Sequence, residues 1–438
     1  MVKGYKEPAA ITQSDGEEPD PVSPAQIAAH LFKVLRGSNN LVFPNFRREA
    51  ERYTHILNRL CEREQVPNEF WPHHGCLSKE IRSETEAALK HKARPATAIC
   101  TNTLELGIDI GAVKSFGQVG PPRSVASLRQ RLGRSGRRKG EPAILRGRAV
   151  EDALPGLTSL KDTLRLSTLQ MTAMISLLLK GWFEPPQVNG ANFSTLIQQL
   201  LSVIAHNGGA SAKELFALLW APGAPFAGVS SGGFLELLRN LGAKELLVQE
   251  SSGVLLRGTL GEKFVNHYTF YAALNSDEEF RIVAGSRTLG TLPVNQMLTP
   301  GQRILFAGKT WRVEEVDDAQ KAICVTRASG GVPPLFSGGA GRTHTRVRQR
   351  LRDLLRSQDV PAYLDPTAQK FLDEARQEYA RLNLDNKVAL DQGHEVLLLS
   401  WGTRRTKRLP AFFFGAGSPL WPLDLASQCT RRVAESTR

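Results

Sequence analysis

From about Ala25 to Arg148 the chain alternates short apolar runs with amphipathic stretches, and this alternation limits the fold more than any other feature. AQIAAHLFKVL at 25–35 repeats its apolar positions at helical spacing, NNLVF at 39–43 is a compact apolar run, and RREAERYTHILNRLCERE at 47–64 returns to helical spacing. ATAIC at 96–100 and VKSFGQVG at 113–120 add two further strand candidates. Strands that alternate with helices pair in parallel, because a crossover helix returns the chain to the edge from which it started. The expected fold is therefore an α/β unit on a parallel sheet over residues 25–150.

The flanking text reads differently. Residues 1–24 hold Asp15, Glu17, Glu18 and Asp20 among Pro19, Pro21 and Pro24, a composition too polar to offset its ordering entropy, and are expected to be a flexible lead-in. Residues 160–262 give a succession of helical patterns, FSTLIQQLLSVIAHNGG, SAKELFALLW and SGGFLELLRNLGAK, closed by the strand-turn-strand text LLVQESSGVLLRG. Three helices and a hairpin predict a winged helix with Ser230–Leu241 as its recognition-type helix. Short strands punctuated by glycine and proline over 265–335 predict a small β-barrel or sandwich, the barrel being preferred. Residues 336–438 contain two helical patterns, RTHTRVRQRLRDLLR and Pro366–Leu384, then WGTRRTKR, and are expected to form a partial helical or α+β region.

Charge narrows the class of partner. Over 438 residues, 56 Lys and Arg against 43 Asp and Glu leave a net charge of +13, which favours a polyanion such as nucleic acid over an acidic small molecule. The opening MVKGYKEPAA lacks the apolar stretch of a signal peptide, and no run approaches the ~18 apolar residues of a membrane span, so a cytoplasmic protein is expected. Five scattered cysteines, Cys61, Cys76, Cys100, Cys324 and Cys429, never fall into C-x-x-C spacing and are expected to be reduced thiols. The pair His73-His74 has no second ligand cluster, so no metal site is expected.

The chemistry concentrates in SVASLRQRLGRSGRRKG at 124–140. Between Arg123 and Arg148 nine Lys or Arg face a single acid, Glu141, and Gly133 and Gly136 allow close backbone approach. Guanidinium groups so concentrated suit phosphate. The run QRLGRSGR at 130–137 resembles motif VI of superfamily 2 helicases, and TNTLELGID at 101–109 resembles motif V. Upstream, LVFPNFRREAE at 41–51 resembles motif IV, and HHGCLSKEIR at 73–82 resembles the histidine-glycine segment that follows it. Together with LELGIDIG, GPPRSVASLRQRLGRSGRR, LGTLP, GQRILFAGKTWRVEEVD and SWGTRRTKRL, the pattern resembles the large helicase-related (Lhr) family.

That resemblance implies a second RecA-like domain over 25–150, followed by the winged helix and the β-barrel. It implies that Arg134 and Arg137 are arginine fingers and that Gln130 orients phosphate or attacking water. Asp109 and Gly107 would meet the nucleotide, while Thr101, Asn45, Arg47 and Gly75 would lie along a bound strand. Motif IV departs from the family pattern at Pro44 and Phe46, where a small residue and a Thr or Ser are usual.

The sequence contains no G-x-x-x-x-G-K-[ST] phosphate loop and no DExH box in helicase context; GGAGRTHT at 338–345 lacks the lysine. The expected function is therefore the C-terminal half of an Lhr-like ATP-dependent helicase or translocase. ATP and Mg2+ would be shared with a RecA-like domain carrying the missing motifs, on a partner subunit or lost from this chain. The expected nucleic acid is single-stranded DNA, a DNA duplex or an RNA:DNA hybrid. The alternative is a non-catalytic nucleic-acid-binding or regulatory protein derived from a helicase.

Overall fold

The computed structural model describes residues 1–7, 22–91, 93–105, 109–137, 140–154, 160–186, 192–220, 224, 226–268, 270, 271, 279–293, 298–329, 343–387, 389–391, 396–398 and 401. The chain divides into two compact units, Met1–Glu184 with Glu279–Arg438, and Pro185–Glu278.

The first unit begins with β1 (Val2–Glu7), α1 (Val22–Leu35), β2 (Asn40–Pro44), α2 (Arg47–Arg63), β3 (Phe70–His73), α3 (Lys79–Lys90), β4 (Thr97–Cys100), β5 (Ser115–Val119), α4 (Val125–Leu132), β6 (Ile144–Asp152), α5 (Leu160–Thr163) and α6 (Leu166–Leu179). Six parallel strands lie in the order β1-β6-β5-β2-β4-β3. One face packs on α1 and α2 through Ile27, Leu31, Tyr53 and Leu57; the other carries Phe43, Phe116, Leu128 and Met171. Burial on both faces explains why the text of the central strands β2 and β4 is largely apolar rather than alternating.

The expectation of a loose lead-in over 1–24 is corrected at both ends. Val2–Glu7 is a sheet strand paired with Gly147–Asp152, and Val22 already starts α1. Strand pairing and the burial of Val2 and Tyr5 outweigh the polar composition nearby. Asp15, Glu17, Glu18 and Asp20 lie outside the described residues. The sheet unit also extends past 150: α6 packs on β6, so 160–184 belongs with the sheet rather than with the helices that follow it.

Buried Glu151, on β6, caps this junction by accepting the Thr168 amide at 2.6 Å. Burial pushes its carboxyl up to about 7, against the pull of the Thr168 hydrogen bonds and of Arg165. A raised carboxyl pKa means that the folded state holds its proton more tightly. Stability is then fully present below the ordinary value of 4.5 and is lost as pH rises to about 7. Glu151→Gln is expected to flatten this window and to add about 3 kcal/mol above pH 7, read from urea midpoints measured across pH 4–8.

The second unit comprises α7 (Phe193–Asn207), β7 (Ala210–Ser211), α8 (Ala212–Trp220), α9 (Ser231–Ala243), β8 (Leu247–Gln249), β9 (Val254–Arg257) and α10 (Thr259–Asn266). Its strands form an antiparallel sheet in the order β7-β9-β8, around a core of Leu200, Trp220, Phe234 and Leu241. Ser230 caps α9 by accepting the Gly233 amide. Residues 185–278 hold five Lys or Arg and seven Asp or Glu, a net charge of −2, so the basic excess of the chain lies wholly in the first unit.

The chain returns to the first unit with β10 (Glu279–Ala284), β11 (Arg287–Pro293), β12 (Arg303–Phe306), β13 (Lys309–Asp317), β14 (Ala322–Arg327), α11 (Thr345–Arg356), α12 (Pro366–Arg381), β15 (Ala389–Asp391) and β16 (Val396–Leu398). The barrel expected over 265–335 is instead a curled half-barrel sheet, β11-β10-β14-β13-β12, whose outer strands β11 and β12 do not pair. It docks on the parallel sheet. Thr291 donates its amide to the Cys76 carbonyl at 2.8 Å, and Ser78 donates to the Leu289 carbonyl at 2.9 Å. Between them, Gly290 has φ +155, and a Cβ there would lie 2.0 Å from the Cys76 oxygen. Gly290→Ala is expected to cost about 2–3 kcal/mol, visible as a lowered thermal midpoint; an unchanged midpoint would refute the docking.

The C-terminal helices are integral to the first unit as well. Val2 donates to the Tyr363 carbonyl and Asp365 donates to the Val2 carbonyl, while Leu351, Leu354, Leu372 and Ala375 join the core shared with α6. Trp401 packs edge-on against Tyr379. Arg404, Arg405, Lys407 and Arg408 lie outside the described residues. Among the described residues no helix is long and apolar enough to cross a membrane.

Candidate nucleotide and strand interface

The loops that follow β2, β3, β4 and β5 leave the carboxyl ends of neighbouring parallel strands, where open α/β sheets place their ligands. They carry, in turn, Asn45, Gly75, Thr101 and the helix α4. Asn45, Gly75 and Thr101 therefore line one rim, while the turn of Arg134 and Arg137 follows the far end of α4, where Gly136 donates to the Val113 carbonyl.

At its centre is an arginine that the sequence motifs did not single out. Arg131 donates from Nε and one terminal nitrogen to Glu105 Oε2 at 3.0 and 2.8 Å. It also donates to Gln118 Oε1 at 2.5 Å and to Asn102 Oδ1 at 3.3 Å, and stacks over the Phe43 ring at 4.6 Å. Arg131 is 3% exposed. Gln118 in turn donates to Asn45 Oδ1 at 3.2 Å, and Asn45 Nδ2 donates to the Pro121 carbonyl at 2.7 Å. One hydrogen-bonded chain thus runs from motif IV through β5 to motifs V and VI. Spacing carried a signal for it: Val125, Leu128 and Arg131 recur every three residues, and these are the buried positions of α4.

Arg134 begins where that network ends. Its Nε donates to the Glu105 carbonyl at 3.1 Å, and burial, then the nearby charge of Arg137, lowers its pKa. Arg137 is exposed and donates to the Gly133 carbonyl at 3.0 Å. The turn between the two arginines depends on Gly136, whose φ is +65 and whose Cβ would lie 2.6 Å from the Ala143 amide nitrogen. Gln130 is exposed. At the other end of α4, both carboxylate oxygens of Glu184 accept first-turn amides, from Val125 and Ala126, at 3.0 and 2.8 Å. Arg138 and Lys139 lie outside the described residues, and so does Gly107.

The remaining candidates divide. Exposed Asp109 accepts the Gly111 amide at 3.2 Å, and half-buried Thr101 donates its amide to the His73 carbonyl at 3.3 Å. Exposed Gly75 has nothing within 4 Å of a Cβ position, leaving room for a ligand backbone. Arg47 donates to Cys76 Sγ at 2.9 Å, and burial pushes that thiol up to about 11. Phe46, one of the departures in motif IV, occupies the N-cap of α2 with no side-chain hydrogen bond and is 46% exposed.

Both histidines of the 73–74 pair have structural partners. His73 meets Thr103 Oγ1 at 2.7 Å and Glu86 Oε1 at 3.2 Å, which joins β3 to motif V, and burial lowers its pKa. His74 meets Glu51 Oε1 at 2.8 Å inside the fold. Glu51 also accepts the amides of Ala307 and Gly308, at 2.8 and 2.7 Å, and so fastens the β12–β13 turn to the parallel sheet.

Comparison with known proteins agrees with this arrangement. The helicase conserved C-terminal domain family matches residues 24–139. ATP-dependent helicase Lhr-Core of Saccharolobus solfataricus is 36% identical over 108 residues, 24% of this chain and 12% of that protein. Lhr helicase/uracil glycosylase of Escherichia coli K12 is 38% identical over 137 residues, 25% of this chain and 9% of that protein. The matched stretches thus span about a tenth of these relatives. In fold, 86% of this chain superposes on 45% of the Mycobacterium smegmatis helicase Lhr bound to ssDNA and AMP-PNP, with a TM-score of 0.54 and 21% identity. The DUF1998 helicase MrfA bound to DNA and AMPPNP gives a TM-score of 0.53 at 20% identity, over 75% of this chain and 42% of that one. Residues 24–139, in which motifs V and VI are hydrogen-bonded to each other, thus match the helicase conserved C-terminal domain and are similar to Lhr helicases over part of those relatives' length.

Proposed function

We propose that this chain is the second RecA-like half of an ATP-dependent DNA helicase or translocase, with Arg134 and Arg137 as its arginine fingers. The observation that carries this reading is the Arg131–Glu105–Arg134 linkage, which holds the motif VI arginine against motif V and next to the Asn45 loop. In this reading a guanidinium held beside motif V stabilises charge on a transferring phosphoryl group, and Gln130 and Asp109 would supply further nucleotide contacts. A bound ATP supplies the reacting phosphate. The phosphate loop and the acidic residues for Mg2+, which the sequence motifs of this chain do not supply, would fall to another RecA-like domain.

Thr101, Asn45, Arg47 and Gly75 would follow a single strand of DNA along the same rim. In this reading 25–150 is the core of the second RecA-like domain, and the three helices and hairpin within 185–278 form a winged helix. The net charge of −2 on those residues suits steric guidance or domain contact better than a grip on phosphates.

The test is ATP hydrolysis by the chain mixed with a P-loop RecA-like domain of the family, with and without single-stranded DNA. Strand-stimulated turnover that appears only in the mixture supports the reading. Salt-sensitive DNA binding without turnover in any mixture would sink it in favour of a non-catalytic binding protein.

A further inference from the structure

Away from the rim, the α1-covered face of the sheet gathers cations. Alternation along the strands puts Lys3 and Tyr5 of β1 and Arg146 and Arg148 of β6 on this face, while Val2 and Ala149 enter the core on the other. Lys3 and Arg148 are direct cross-strand partners, and like charges so placed repel. His30 and Lys33, one helical turn apart on α1, join them: the groups acting on His30 are Arg148, Lys3, Arg146 and Lys33, all cations.

Arg148 is the core of the cluster. It is 1% exposed and, among the described residues, reaches only uncharged partners, the Arg146 carbonyl at 2.7 Å, His30 Nδ1 at 3.4 Å and the Tyr5 hydroxyl. Its buried Nε has no hydrogen-bond partner. The carboxylates that act on the adjacent Tyr5 and Tyr53 are engaged elsewhere. Asp365 accepts the Gly4 and Ala368 amides, and Glu49 pairs with Arg52. A guanidinium withdrawn from water without a counter-charge is strongly unfavourable, and here Arg146 and the cross-strand Lys3 crowd it further, while Lys33 joins them around His30. Lys3, His30 and Arg146 are half-buried and Lys33 is exposed, so the cluster opens to solvent above Arg148.

We propose that Lys3, His30, Lys33, Arg146 and Arg148 form a phosphate-binding site on the α1 face of the sheet, apart from the motif V and VI rim. Its ligand is a phosphoryl group, from a nucleic-acid backbone or from a free polyphosphate. Guanidinium and ammonium donors match the oxyanion, and His30 contributes a neutral donor. Because Arg148 only donates, Nδ1 accepts, and the ring hydrogen sits on Nε2. Burial and the surrounding cations hold His30 at about 4, and a bound anion opposes those cations.

The experiment follows the His30 imidazole by NMR in the full chain, titrated with pH in the presence of pyrophosphate or of a short single-stranded oligonucleotide. Pyrophosphate is expected to raise the His30 midpoint by about one pH unit. Lys3→Ala, Lys33→Ala and Arg146→Ala, each checked for native circular dichroism, are expected to weaken its binding about tenfold. The same rise with the oligonucleotide assigns the site to a nucleic-acid backbone; a rise with pyrophosphate alone assigns it to a free polyphosphate. A His30 midpoint moved by neither, or variants that bind pyrophosphate as the parent does, overturns the site.

Discussion

Replacing Arg131 with methionine is expected to lower the unfolding free energy by about 3–5 kcal/mol, because the change leaves the Glu105 carboxylate buried beside an apolar chain. Four hydrogen bonds disappear with the guanidinium, two of them to Glu105 and one each to Gln118 and Asn102. Surface arginines on the same helix should behave differently: Arg129 is exposed and stacks over Phe183 at 4.1 Å, so its replacement is expected to cost well under about 1 kcal/mol. The decisive comparison is the double variant Arg131→Met with Glu105→Leu. Removing both charges of a buried pair is far milder than removing one, so the double variant should recover most of the loss. Urea midpoints for the parent, the two single variants and the double variant measure this directly. A double variant as unstable as the sum of its parts would mean that the pair is not coupled.

Arg134→Ala is expected to reduce ATP turnover in the mixture with a P-loop domain by about 10³–10⁵-fold, the usual worth of an arginine finger. The loss should fall on kcat rather than on KM, because the interaction strengthens as charge develops on the transferred group. DNA binding by the chain alone should survive, since Asn45, Thr101 and Gly75, the residues proposed to follow a strand, keep their own hydrogen bonds and spacing. Arg134→Lys is expected to restore little, because an ammonium cannot reproduce both the Glu105 carbonyl contact and a forked contact to phosphate. Turnover within tenfold of the parent would remove Arg134 from the catalytic role.

Much of the site was legible before any coordinates. Motifs V and VI are local strings whose glycines mark a tight turn, and Gly136 takes a φ of +65. The parallel α/β pattern over 25–150 follows from periodicity, since strands buried on both faces cannot hide their apolar character. Three things were not legible, each for a reason of distance. Val2–Glu7 reads as a polar lead-in because its partner, β6, lies some 145 residues further on. The curled sheet reads as a closed barrel because text shows strands but not which edges stay unpaired. Arg131 reads as one more basic residue because its partners, Asn102, Glu105 and Gln118, come from other segments, and the spacing that turns it inward does not say what it meets there.

The sequence by itself determined the chemistry of the rim: which residue types stand there, in which order, and on which kind of fold. Only the tertiary structure decided which charges are spent internally and which remain for ligands. Arg131 and Glu51 are both buried against partners from distant segments, and Arg148 is buried with no acid among its hydrogen-bond partners in the described residues. The physical reason is that a charge has little meaning until its surroundings are known. Desolvation and pairing depend on atoms brought within a few ångströms by the fold, and sequence distance does not record them.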